Sequence, residues 1–184
     1  MTSAARSAVG LIRNGNEDGA LTHPYVIAVA DGMGGHAGGE VASSIALHIL
    51  AERSAIFTDS QMDQDSADDF FNATIDEIDG ALKVASDDNP ALSGLGTTLT
   101  AIFIRNNQAV LLHVGDSRAY RIRGTAIEQL SVDHTVMQEL LKAGTITEAD
   151  IAEHPQLSAI PAELFFVGYV FGEATGVACA MVSD

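Results

Sequence analysis

The stretch 97-TTLTAIFIRNNQAVLLHVGDSRAYRIR-123 decides the fold class. It divides into 97-TTLTAIFIR-105, 109-AVLLHVG-115 and 119-AYRIR-123, each rich in β-branched and aromatic residues. Such side chains pack well on a pleated, half-buried surface, so the three segments read as strands. Asn106-Asn107 and Asp116-Ser117 lie between them and supply turn chemistry. An antiparallel meander is therefore expected, with Asp116 at a hairpin tip. Upstream, Tyr25 to Ala30 is a short apolar run, as for a strand covered on both faces. From Glu40 to Arg53, Val41, Ile45 and Ile49 share one helical face, with Ala42, Ala46 and Leu50 beside it. Residues 61 to 86 read as a second, mostly solvated helix with Phe70, Phe71, Ile75, Ile78 and Leu82 at its apolar positions. Downstream, helical character returns at 134–143 and 147–153, with Gly144 as a stop and Thr147 as an N-cap. Strands grouped together between helices indicate α+β rather than alternating α/β.

Bulk properties narrow the function. At 184 residues, 47% hydrophobic and 18% charged, the chain is expected to fold as one globular domain. A net charge of -16, with nine basic residues and no run of them, argues against a nucleic-acid partner. The single Cys179 leaves no internal disulfide framework. The most apolar late stretch, 164-LFFVGYVFG-172, is about half the length that spans a bilayer. The expectation is a soluble, cytoplasmic protein without a membrane partner.

The segment 25-YVIAVADGMGGHAGGEVASS-44 raises the chemical question. Residues 32–37, GMGGHA, formally match the loose dinucleotide fingerprint, with Glu52 where a ribose-binding acid is sought. Asp31 defeats that reading, because it sets a fixed negative charge where the pyrophosphate belongs. The alternative is that Asp31 holds a divalent metal, and that the metal faces a phosphate. Mg²⁺ and Mn²⁺ take carboxylate, carbonyl and water oxygens, and glycines beside the carboxylate let a carbonyl approach. A bare Asp-Gly turn is the bland competitor. Two further pieces join it: 13-RNGNED-18, with Arg13, Glu17 and Asp18, and 114-VGDSRAYRIR-123, with Asp116. Next to a metal, a guanidinium fork matches phosphate oxygens and carboxylates orient bound waters. Alone, each piece is an ordinary loop.

Together these segments resemble one family. The chain is similar to the bacterial branch of the metal-dependent PPM (PP2C-type) serine/threonine protein phosphatases. The resemblance rests on 10-GLIRNGNED-18, 30-ADGMGGHAGGEVAS-43, 96-GTT-98, 114-VGDSRAY-120 and 131-SVDHTVMQELLKAGTIT-147, and spans roughly residues 9 to 160. It implies an α-β-β-α sandwich of two antiparallel sheets flanked by helices, and a binuclear Mn²⁺/Mg²⁺ centre between the sheets, with a possible third ion. By motif, Asp31 bridges two metals, Gly32 offers its carbonyl, and Arg13 binds substrate phosphate. Asp18, with Glu17, holds metal-coordinated water, and Asp116 belongs to a third-metal site. Two such ions lower the pKa of a water that attacks phosphorus in line, so no Ser or Cys nucleophile is required. His36 is the nearest general-acid candidate by sequence; the acid histidine of eukaryotic relatives directly follows the Asp-Gly pair, where this chain has Met33. A structural histidine at a helix start is the competing reading.

The pattern holds through 153-EHPQLSAI-160, and 161–184 is an unmatched tail. Two C-terminal aspartates of the family are not visible in it, so the C-terminal part of the fold is expected to be incomplete, through a frameshift, a truncated gene or a degenerate copy. Two functions follow. One is a cytoplasmic phosphatase acting on phosphorylated targets of Ser/Thr kinases. The other is a catalytically inactive, PPM-derived binding or regulatory protein, or a fragment.

Overall fold

The computed structural model describes residues 3–9, 15–34, 36–59, 64–105, 108–135, 140–141, 143–144, 169–171 and 177–179. Every strand pairing among them is antiparallel, which removes the dinucleotide reading, since that fold needs parallel strands. The larger sheet runs β1 (Asp18–Thr22), β2 (Val26–Met33), β4 (Leu99–Arg105), β5 (Gln108–Val114) and β8 (Tyr169–Phe171), with the two-residue β3 (Gly96–Thr97) extending the pairing of β2. The smaller sheet has the order β7 (Ala126–Gln129), β6 (Ala119–Arg123), β9 (Val177–Cys179). Strand β8 pairs with β5 and β9 with β6, so segments after residue 160 contribute to both sheets.

The period-two burial of the strands explains the layers. On β2, Val26, Ala28 and Ala30 are fully or almost fully buried, and they join Leu99, Ala101, Phe103, Leu112 and Val114 on one face of the sheet. Helices α1 (His36–Asp59) and α2 (Gln64–Asp88) cover that face with Ala46, Leu47, Leu50, Phe70, Phe71 and Ile78. Phe71 of α2 lies 4.9 Å, centroid to centroid, from Phe103 of β4 and anchors the helix. The opposite face carries Ile27, Ile102, Ile104, Ala109 and Leu111, which pack with Ala119 of β6 and Leu130. The expectation for 25–30 is met in this sense, with helices on one side and a sheet on the other. On α1 the central face is Ala42, Ala46 and Leu50, while Val41 and Ile45 are only half-buried. Small residues win there because the helix lies almost on the strand: a Cβ on Gly32 would stand 1.9 Å from the Gly39 carbonyl oxygen.

The meander needs correction. β4 and β5 form the expected hairpin, from Leu99↔Val114 to Arg105↔Gln108. Strand β6 does not return to β5; it crosses to the second sheet and pairs with β7 and β9. Asp116 thus occupies a corner between sheets and not a hairpin tip. Gly115 makes that corner with φ +106°, a conformation that side-chain-bearing residues avoid. Among the described residues there are three layers, two helices on two sheets. The helices expected at 134–153 fall mostly outside them, although residues 140–141 are helical and Gly144, at φ +67°, ends that turn with its N–H on the Leu141 carbonyl. Thr147 lies outside the described residues. Among the described residues no helix is long and apolar enough to cross a membrane.

Candidate metal centre

Strands β1 and β2 build the site. Their ladder sets Asp18 opposite Asp31. Directly opposed residues of an antiparallel pair hold their Cβ atoms on one face, about 4.5–5.5 Å apart. Both aspartates are half-buried, and Asp31 shares the inter-sheet face of β2 with Ile27 and Val29. Strand β1 had no visible signature in the sequence, since Asp-Gly-Ala-Leu-Thr is too short and too mixed to show alternation. Strand β2, in turn, does not stop at Ala30; it runs through Asp31 and Gly32 to Met33, and the chain turns only at Gly34, at φ +123°.

Glu17 takes the helix side. A Cβ built on Gly39 of α1 would stand 1.9 Å from a Glu17 carboxylate oxygen and 2.8 Å from the Gly32 carbonyl oxygen. The Gly32 N–H donates to the Glu17 carbonyl at 3.3 Å, and the Ser43 hydroxyl of α1 donates to the same carbonyl at 2.8 Å. Glycine at 32 and 39 therefore leaves a narrow space lined by oxygens where helix and strand meet. Arg13, and the side chain of His36 at the start of α1, lie outside the described residues.

The 96–98 segment pins Asp31. Thr98 N–H donates to the Asp31 carbonyl at 2.8 Å, and the Thr97 hydroxyl adds a bond to that carbonyl at 3.0 Å. The Asp31 N–H donates to the Thr98 hydroxyl oxygen at 2.9 Å. That hydroxyl is 2.8 Å from the hydroxyl of buried Ser117, the residue after half-buried Asp116. Further in, the Thr100 hydroxyl lies 2.9 Å from His113 Nδ1 and 3.2 Å from the Ser117 carbonyl, and His113 Nε2 donates to the Val132 carbonyl at 3.1 Å. Burial, with the neighbouring His134 ring second, pushes His113 down to about 4, so it is neutral near pH 7. The 131–135 loop closes the corner: His134 N–H donates to the Gly115 carbonyl at 2.7 Å, and Arg118 Nε forks onto Asp133 at 2.9 and 3.0 Å. That fork, above all, holds Arg118 above the usual guanidinium range. Thr98, Thr100, His113 and Ser117 had no role in the sequence reading. Their only available sign was the presence of Thr98 and Ser117 inside the quoted motif segments.

Among the described residues no three His, Cys, Asp or Glu side chains gather into a metal cluster. The donors present are an opposed carboxylate pair and the Gly32 carbonyl. This set fits a hard, hydrated ion: Mg²⁺ keeps several waters and is commonly held by one or two carboxylates plus substrate phosphate. It does not suit a softer, closed site built from thiolate and imidazole.

Comparison with known proteins gives the lineage. The family model Protein phosphatase 2C matches residues 18–166. The serine/threonine protein phosphatase PstP of Mycobacterium tuberculosis is 39% identical over 161 residues, which cover 85% of this chain and 30% of PstP. The serine/threonine phosphatase stp of Listeria monocytogenes is 34% identical over 165 residues, covering 85% of this chain and 64% of that protein. The chain thus spans less than two thirds of the length of these relatives. The crystal structure of the Mycobacterium tuberculosis PstP superposes with a TM-score of 0.78 at 35% identity, over 95% of this chain and 74% of that one. A structure of the PstP catalytic domain in complex with two manganese ions gives 0.75 at 34% identity, over 95% of this chain and 73% of that one. By sequence match over most of its length and by fold, the chain belongs to the protein phosphatase 2C family.

Proposed function

We propose that this protein hydrolyses phosphoserine and phosphothreonine in proteins with the help of Mn²⁺ or Mg²⁺. The observation that carries the reading is the placement of Asp18 opposite Asp31 on one face of a pinned strand pair. Asp31, Asp18 and the Gly32 carbonyl would hold the ions, with Glu17 beside them and Asp116 serving a third. When bound, the ions supply an acidified water and a positive clamp for the phosphoryl oxygens. The chain's own part is positioning. Three hydrogen bonds fix the main chain of Asp31, so its carboxylate is held ready before substrate arrives. In the same reading Arg13 forks onto the substrate phosphate and His36 gives a proton to the departing serine or threonine oxygen. The substrates are then cytoplasmic phosphoproteins, targets of Ser/Thr kinases, and residues 1–184 act as one domain. The two manganese ions held by the PstP catalytic domain, a protein of similar fold, support this reading.

The test is hydrolysis of a phosphothreonine peptide with and without Mn²⁺, on the parent chain and on Asp31→Asn, with circular dichroism to establish folding. Mn²⁺-dependent turnover that disappears in Asp31→Asn is expected. Turnover that ignores Mn²⁺ or survives Asp31→Asn would refute the mechanism. A folded, inactive parent would favour a binding or regulatory role.

A further inference from the structure

We infer that the hydroxyl pair of Thr98 and Ser117 is a positioning bridge that sets Asp31 relative to the Asp116 corner and thereby tunes metal affinity. The inference rests on the metal-dependent reading of Asp31 given above.

The larger sheet is irregular at Asp31. The pairings Val29↔Thr100 and Gly32↔Thr97 share one register, which places Asp31 opposite Thr98. In a regular antiparallel sheet such a pair exchanges two main-chain bonds or none. Here one of the two survives, from Thr98 N–H to the Asp31 carbonyl at 2.8 Å. Its reciprocal is replaced: the Asp31 N–H donates to the Thr98 hydroxyl, at 2.9 Å, instead of the Thr98 carbonyl. The single Thr97 hydroxyl proton is shared between the Thr98 carbonyl at 2.9 Å and the Asp31 carbonyl at 3.0 Å. A side chain has therefore been substituted into the ladder at a residue that would hold the ions.

That side chain is also the link to the other half of the centre. Thr98 and Ser117 are 5% and 3% exposed, and their hydroxyls are 2.8 Å apart. Ser117 follows Asp116 directly, in the corner that carries the chain from the first sheet to the second. Along the main chain, the Asp116 corner is reached from the sheet through strand β5 and the turn at Gly115. Across the hydroxyl bond, a short path runs from the Asp31 amide through two hydroxyls to the residue beside Asp116. Hydrogen-bonding partners that orient metal ligands, when removed, typically reduce metal affinity by about 10–100-fold. Thr98 and Ser117 are thus positioning residues, since neither is proposed to touch substrate.

The experiment is direct Mn²⁺ binding, by calorimetry or by electron paramagnetic resonance of free Mn²⁺, well below the melting temperature of each variant. The chains are the parent, Thr98→Val, Thr98→Ser, Ser117→Ala, the Thr98→Val/Ser117→Ala double variant and Asp31→Asn, each checked for folding. Thr98→Val and Ser117→Ala should each raise the Mn²⁺ dissociation constant by about tenfold or more. The double variant should lose little beyond either single one, because both remove the same bridge. Thr98→Ser keeps the hydroxyl and should bind as the parent does. A purely structural role would lower the melting temperature and leave the dissociation constant unchanged. Parent-like binding by folded Thr98→Val or Ser117→Ala, alongside loss in Asp31→Asn, overturns the bridge and leaves the metal site standing. Parent-like binding by Asp31→Asn overturns both. Should Thr98→Val fail to fold, Ser117→Ala against Thr98→Ser decides.

Discussion

His113 makes the stability of this protein depend on pH in a calculable way. The ring is 2% exposed and wedged between Thr100 and the Val132 carbonyl. Because a carbonyl only accepts, Nε2 carries the proton in the neutral ring and Nδ1 accepts from the Thr100 hydroxyl. A second proton would have to enter at Nδ1, inside the inter-sheet layer and beside the His134 ring at 4.9 Å. Burial and His134 oppose it, while the Val132 carbonyl and Asp133 assist it, and the balance lowers the pKa from 6.5 to about 4. The folded state therefore binds fewer protons than the unfolded chain between pH 6.5 and 4. Stability from this group is fully present above pH 6.5 and is lost as pH falls toward 4. Linkage with these two values gives a loss of about 2 kcal/mol between pH 7 and pH 5, rising to about 3 kcal/mol at pH 4. The assay is urea denaturation of the parent and of His113→Gln at pH 7 and pH 5. Glutamine keeps an amide to donate to Val132 but does not titrate. The parent should lose about 2 kcal/mol more than the variant over that interval. Equal losses in the two proteins would refute the reasoning, whatever their absolute stabilities.

Two glycines and a phenylalanine supply further checks. Gly32→Ala sets a Cβ 1.9 Å from the Gly39 carbonyl oxygen, main chain against main chain. It should cost about 1–3 kcal/mol in denaturant unfolding. Gly80→Ala is the control: nothing lies within 4 Å of its Cβ on α2, and it should stabilise by up to about 1 kcal/mol. Phe71→Ala empties a fully buried position between α2 and β4. A loss of about 3–5 kcal/mol is expected, with the thermal midpoint falling by roughly 10 °C. A midpoint within a degree or two of the parent would mean that α2 is not anchored there.

The composition of 97–123 and the helical periods on either side were enough to determine an α+β chain, because alternation and 3.6-residue repeats are local properties. Helix α1 extends beyond the 40–53 read for it at both ends, to His36–Asp59, while α2 at Gln64–Asp88 nearly coincides with the 61–86 expected and buries Phe70, Phe71 and Ile78. Asp31 stands out in the sequence as a candidate ligand, since a carboxylate among glycines at a strand end is chemically out of place for a helix-bound phosphate. What the sequence alone could not determine is which strand partners which. Nothing in 119-AYRIR-123 says that it leaves β5 for a second sheet; that depends on Gly115 adopting φ +106° and on apolar Ala119 finding Ile102 and Leu111 across the layer. Nor does the sequence place Asp18 opposite Asp31, because the β1–β2 register is fixed by packing of both strands under α1. The hydroxyls of Thr98 and Ser117 lie nineteen residues apart in the chain and 2.8 Å apart in space. Local propensity decides what each segment becomes; only the closing of the sheets decides which polar groups are buried together, and there the bridge to Asp31 is made.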